Sequence, residues 1–168
     1  MLLIRRIQLG EAELFRCIRL AALREAPRAF GSTYDSALRR TPESWREQAD
    51  STACGSDRST FLAFSDESPI GIIALYRLGR ESDTGELIQM WITPEYRGRR
   101  IAKRMMDIAF QWAGDNQFRA IVANVARHNA RALRLYREYG FVPSKGALSN
   151  HLDDHVVLIK QIKSQDRI

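Results

Sequence analysis

The sequence predicts a mixed α/β fold, and three observations carry that reading. Residues 86–106 begin with an apolar, β-favouring stretch (Leu87, Met90, Trp91, Ile92). Pro94 and an arginine-rich turn end it, and apolar residues at helical spacing follow: Ile101, Met105, Ile108, Ala109 and Trp112. Two further β-like runs, Phe61 to Phe64 and Ile70 to Leu78, flank Asp66-Glu67-Ser68-Pro69, whose turn chemistry makes them an antiparallel hairpin. Elsewhere helical and strand patterns alternate, with no internal repeat and no low-complexity segment.

In order, Leu2 to Leu9 reads as a first strand, ended by Gly10. From about Glu11 to Glu25 a helix sets Leu14, Ile18, Ala21 and Ala22 on one face with arginines elsewhere, and Pro27 closes it. Ala29 to Tyr34 is loop-like yet carries two aromatics, Phe30 and Tyr34. Thr41 caps the next helix, with Pro42 in its first position and Glu43 in its first turn, and Trp45 anchors it to the body. Ser51 to Ser59 is small, polar and glycine-containing, which predicts a mobile loop. After the hairpin, Glu81 to Gly85 is a turn feeding the strand that starts at Glu86. Ala120 to Val125 is apolar on both faces, as an interior strand requires. Asn129 to Tyr139 is a helix stopped by Gly140, and Phe141-Val142-Pro143 leaves it. Ser144 to Asp154 is a polar loop, Val156 to Ile162 the last strand, and the Gln-Asp-Arg tail is expected to fray.

A chain of 168 residues is long enough for a real core, so residues 1–168 are expected to form a single domain. Hydrophobic residues at 45% and charged residues at 27% are the ordinary balance of a globular protein. Cys17 and Cys54 make no metal or redox spacing, no secretory leader is recognisable, and no apolar run approaches a membrane span. A reduced, cytoplasmic protein with no membrane partner is expected. The net charge of +6 raises nucleic acid as a partner, but the one dense cluster (Arg97, Arg99, Arg100, Lys103, Arg104) sits at a single turn. Nucleic acid is therefore not expected as the main partner. His128, His151 and His155 lack metal-ligand spacing, and no metal is expected.

At that turn a strand enters a basic, glycine-containing loop that opens a helix. The free N–H groups of a helix start and the helix dipole make a site for phosphate oxygens, so residues 97–103 are expected to hold a pyrophosphate-bearing ligand. The run Arg97-Gly98-Arg99-Arg100-Ile101-Ala102 resembles the acetyl-CoA loop of the GNAT superfamily of N-acetyltransferases, (Gln or Arg)-x-x-Gly-x-(Gly or Ala). The preceding strand resembles that superfamily's fourth strand, and Asn129-Ala130-x-Ala132-x-x-x-Tyr136-x-x-x-Gly140-Phe141 resembles its last motif. Arg100 stands where the family usually has glycine; a non-glycine residue supplies the amide there if its φ is ordinary.

The resemblance implies the GNAT fold, a mostly antiparallel sheet of six to seven strands with about four helices on its two faces. It implies acetyl-CoA as co-substrate, held by Met90, Trp91, Ile92, Arg97, Gly98, Arg99, Arg100, Ile101, Ala102, Lys103, Asn129 and Tyr136. Carried over from the family, the Met90 N–H is the donor to the thioester carbonyl, and the Ile92 backbone pairs with the pantetheine arm. A lysine-like amine titrates roughly three pH units above neutrality, so its deprotonation costs about 4 kcal/mol. Glu86 resembles the strand-four glutamate that acts as base in one branch of the family, and is otherwise a strand-edge surface carboxylate.

Tyr136 is the candidate acid for the leaving thiol. It lies seven residues from Asn129, hence on the same helical face, and the other reading of it is a core tyrosine. Asn129 would hydrogen-bond the pantetheine arm. Phe30 and Tyr34 lie where the family's acceptor site forms, or else lid the core; Trp91 either walls the acceptor pocket or is structural. Glu81, Asp83, Asp153 and Asp154 hint at a cationic acceptor.

The expected activity is direct acetyl transfer to a primary amine, of a small molecule first, with a protein or peptide N-terminus or lysine as the alternative. A catalytically silent CoA-binding regulatory module is the alternative outside enzymes. Pairing into a homodimer, seen across the family, is also implied.

Overall fold

The computed structural model describes residues 1–144 and 154–163. The elements are β1 (Leu2–Arg6), α1 (Ala12–Glu25), α2 (Tyr34–Leu38), α3 (Pro42–Ala53), β2 (Arg58–Ser65), β3 (Ser68–Arg77) and β4 (Thr84–Ile92). They continue with α4 (Ile101–Asp115), β5 (Ala120–Ala126), α5 (Ala130–Tyr139), β6 (Val142–Pro143) and β7 (His155–Gln161). One seven-stranded sheet runs in the order β1-β2-β3-β4-β5-β7-β6; only β4 and β5 pair in parallel. The expected mostly antiparallel sheet with helices on both faces is what the chain forms.

Period-two alternation divides the core between the two faces. Ile73, Leu75, Leu87, Ile121 and Ala123 face one side, where Ile101, Met105, Met106 and Ala109 of α4 and Tyr136 of α5 cover them. Leu62, Phe64, Ile72 and Trp91 face the other, under Phe15, Ile18, Ala22 and Leu23 of α1, Ala37 of α2 and Trp45 and Ala49 of α3. Burial of such side chains, each about 1.5–3 kcal/mol, is the main source of stability.

Several boundaries and faces differ from the sequence expectation. α2 starts at Tyr34, the last residue of the stretch read as loop, and covers residues given no element: the Thr33 hydroxyl caps it by accepting from Ser36 N at 3.1 Å. At α3 the Thr41 cap is as expected, accepting from Ser44 N at 3.1 Å. The loop expected over 51–59 is shorter, because α3 runs to Ala53 with Thr52 fully buried and β2 starts at Arg58. On α1, Ala21 is exposed, while Phe15, Leu23 and Arg19 join Ile18 and Ala22 inside. Most of the loop expected over 144–154, with His151 and Asp153, and the end of the tail lie outside the described residues.

β4 is the irregular strand. It pairs with β3 from Arg77↔Gly85 to Ala74↔Ile88, then slips, resuming at Ile72↔Trp91. Gln89, at φ 59°, forms the bulge that absorbs the extra residue. Its pairing with β5 stops at Leu87↔Ala123, while β5 continues against β7 to Ala126↔His155. Among the described residues, the β5-facing edge of β4 from Ile88 onward therefore has no strand partner. Gly71, opposite Ile92, fits this crossing because a Cβ there would meet Ile92 Cδ1 at 2.6 Å and Met105 Sδ at 3.0 Å.

Candidate active site

The wedge between the diverging strands opens into a cavity of about 920 Å³. Its walls are Met90, Trp91 and Ile92 of β4, the turn and first residues of α4 (Tyr96, Arg97, Gly98, Arg100 to Lys103), and the α5 face bearing Asn129, Leu135 and Tyr136. The last residue of α1, Glu25, and the segment after it to Phe30 close one side. Of the residues expected at the cofactor, all line this cavity except Arg99, whose guanidinium lies over the Tyr96 ring at 5.0 Å.

The turn into α4 is built for an anion. Gly98 sits at φ 76°, a left-handed conformation natural for glycine, with open space where a Cβ would be. Arg100 caps α4 with φ 60° and ψ 15°, and no side chain caps the helix start. The condition of an ordinary φ at Arg100 is thus not met. The backbone keeps the left-handed geometry that glycine would favour, and an arginine adopts it at a conformational cost of order 1–3 kcal/mol. The uncapped N–H groups and the glycine-shaped cradle fit the diphosphate of coenzyme A, with the Lys103 and Arg100 side chains on the same rim.

Arg97 is committed elsewhere. Its Nη2 and Nη1 donate to Glu25 at 2.6 and 3.2 Å, and its Nε donates to the Ile92 carbonyl at 2.9 Å. Trp91 Nε1 donates to the same Glu25 carboxylate at 2.8 Å. Hydrogen bonds from Arg97 and then Trp91 hold the Glu25 carboxyl below its ordinary pKa. Glu25, missed in the sequence, thereby latches the end of α1 to both β4 and the α4 turn.

Asn129 caps α5 through its side-chain oxygen, which accepts from Ala132 N at 3.2 Å, leaving its amide N–H groups for the cavity. Tyr136 packs edge-on against Phe141 with ring centroids 5.2 Å apart. It belongs to the core and also borders the cavity. Burial pushes its phenol further above the ordinary value, so it stays protonated.

Glu86 and Tyr34 are not at the cavity. Glu86 lies opposite Tyr76 of β3 and Val122 of β5, half-buried, and burial raises its carboxyl pKa. Tyr34 bonds to Arg24, which also stacks on its ring. Asp83 pairs with Arg119 at 3.5 Å, and neither it nor Glu81 borders the cavity. His128, which has no metal-ligand spacing, lines the cavity beside Asn129. Among the described residues no three or more His, Cys, Asp or Glu side chains group as metal ligands, and no helix is long and apolar enough to cross a membrane.

The family model for the acetyltransferase (GNAT) family matches residues 21–141, which span the latch, the α4 turn and α5. The chain belongs to the GNAT family of acetyltransferases. Among solved structures, a GNAT-family acetyltransferase from Streptococcus pneumoniae superposes with a TM-score of 0.81 at 23% identity, over 97% of this chain and 100% of that one. The spermidine N-acetyltransferase of Vibrio cholerae, in complex with CoA and spermine, gives 0.74 at 17% identity over 96% and 95%. The ribosomal-protein-S5-alanine acetyltransferase of Vibrio fischeri gives 0.78 at 17% identity over 96% and 93%. No curated protein sequence matches the chain. At these identities the likeness is one of fold, and this GNAT protein shares its sheet and helices with enzymes whose named acceptors differ.

Proposed function

We propose that this chain, acting as one domain over residues 1–168, transfers the acetyl group of acetyl-CoA directly to the primary amine of a small molecule. One observation carries the reading. A single cavity joins the anion-binding start of α4 to the unpaired edge of β4 and to the Tyr136 phenol. Its volume of about 920 Å³ lies in the range of small-ligand sites.

When bound, acetyl-CoA supplies an acetyl group activated as a thioester. The chain's own groups then take three roles. The Met90 N–H, on the stretch of β4 that β5 leaves, polarises the carbonyl by donating a hydrogen bond. Tyr136 holds a proton for the departing sulfur, and its raised pKa keeps that proton in place through the neutral range. Glu86 lies off the cavity, so any proton it accepts from the amine reaches it through water. Cys17 and Cys54 are exposed and outside the cavity, which favours direct transfer over a covalent acetyl-enzyme.

The test is an acetyl-CoA-dependent screen of amines with free-thiol detection, run beside Tyr136→Phe. The expected result is thiol release with at least one small amine and a kcat lower by about 10²-fold in the variant. Tight acetyl-CoA binding with no thiol release from any amine would instead favour a silent binding module, and turnover with peptides alone would favour the protein-acetylating alternative.

A further inference from the structure

Arg19 is the most anomalous side chain in the fold. It lies on α1, only 5% exposed, in the helix layer that covers the face of the sheet bearing Trp91. Its Nη1 is buried without a hydrogen-bond partner, and no carboxylate pairs with Arg19 among the described residues. The contact it does make is with Phe30, whose ring centre is 4.9 Å from the guanidinium carbon, and Phe30 lines the active-site cavity.

The surroundings are cationic, not acidic. Arg40 and Tyr76 are its electrostatic neighbours, and Arg40 donates only to neutral partners, the Ser44 hydroxyl and carbonyl and Gln48 Oε1. Arg58 lies over the Tyr76 ring at 4.9 Å. Burial draws the Arg19 pKa down to about 10, which still leaves it charged at neutral pH.

A buried, charged and unpartnered guanidinium is costly, and it persists where a ligand completes it. The Phe30 ring lies against the guanidinium, whose N–H donors radiate in its own plane. That edge matches a carboxylate or a phosphate oxygen pair. Resting on the acetyl-transfer reading above, we propose that the amine acceptor carries an anionic group, a carboxylate or a phosphate. Arg19 does not itself line the cavity, so it receives that group when the Phe30 side chain turns aside, with Arg40 beside it. The acceptor class is then an amino acid or a phosphorylated amine, in place of the cationic acceptor that the turn acids suggest.

Matched pairs test this: amino acids against their decarboxylated amines, and O-phosphoethanolamine against ethanolamine, each with wild type, Arg19→Met and Arg19→Lys. The expected result is a kcat/KM at least about 100-fold higher for the anionic member of one pair type, because its absence leaves the buried donors unpaired. Which pair type responds separates carboxylate from phosphate. In Arg19→Met the ratio falls to about threefold or less, while Arg19→Lys, a point charge without the planar fork, retains part of it. Equal rates within every pair, or a preference that survives Arg19→Met, overturns the proposal.

If no amine turns over, the acetyl-transfer reading fails by itself, and thermal melts with the same amino acids and O-phosphoethanolamine decide the anion site. Stabilisation of the wild type but not of Arg19→Met supports it, and stabilisation of neither overturns it. Without ligand, Arg19→Met is expected to melt no lower than wild type, since it removes an unpaired buried charge.

Discussion

Arg100 takes φ 60° where the family's loop carries glycine, so one residue pays in backbone strain for a guanidinium on the cavity rim. Arg100→Gly is expected to raise stability by about 1 kcal/mol, read by chemical denaturation, because relief of strain outweighs the added freedom of the unfolded chain. A loss of stability would show that the side chain itself holds the turn. Glu86 offers a second test at this scale. Its carboxyl is raised by burial, so the folded state retains a proton that the unfolded chain has lost. Stability from this group is complete below the ordinary carboxylate range and falls as pH rises through the raised value. Glu86→Gln should therefore melt slightly higher than wild type at neutral pH, with the difference vanishing in acid. In turnover, a base at Glu86 would give an acidic limb above the ordinary glutamate pKa that disappears in the variant, whereas an unchanged profile would remove Glu86 from the mechanism.

Among the elements, β4 and α1 do most to build the site, and neither contribution is visible in local pattern. The bulge at Gln89 was not legible because glutamine carries no preference for positive φ, whereas Leu87, Trp91 and Ile92 announced the strand itself. The latch was equally hidden, since Glu25 meets Trp91 and Arg97 across 66 and 72 residues of chain. Five-residue α2 was too short for its periodicity to show, although Thr33 does cap it. Pattern reading also sends arginines to the surface, which is why Arg19 went unnoticed. Glu25→Gln is expected to cost about 1 kcal/mol, a charge-assisted hydrogen bond discounted for partial exposure. Because the Glu25 pKa is lowered in the fold, that contribution is present above the ordinary carboxylate value and lost as pH falls through the depressed one. Denaturation of wild type and variant should therefore converge in acid. Gly71→Ala, which puts a Cβ 2.6 Å from Ile92 Cδ1 and 3.3 Å from the Trp91 carbonyl, should destabilise by about 1–3 kcal/mol through overpacking.

At the scale of the whole molecule, the sheet and its two helical layers follow from hydrophobic period: β2, β3, β5, α4 and α5 lie within a few residues of where alternation and helical spacing put them. The turn into α4 was similarly legible, because a glycine-bearing basic turn between a strand and a helix is a local feature. The opposite wall of the cavity was not. That wall is assembled from the end of α1, the 26–30 segment and β4, which come together only when the chain folds. The central claim is that the start of α4 and the parted edge of β4 form one binding site for a diphosphate carrying a thioester arm. Calorimetric titration of the folded chain with acetyl-CoA and with CoA tests it most directly: the account predicts one-to-one binding of both that weakens at high salt. No heat with either ligand, from protein whose circular dichroism shows it folded, would contradict it.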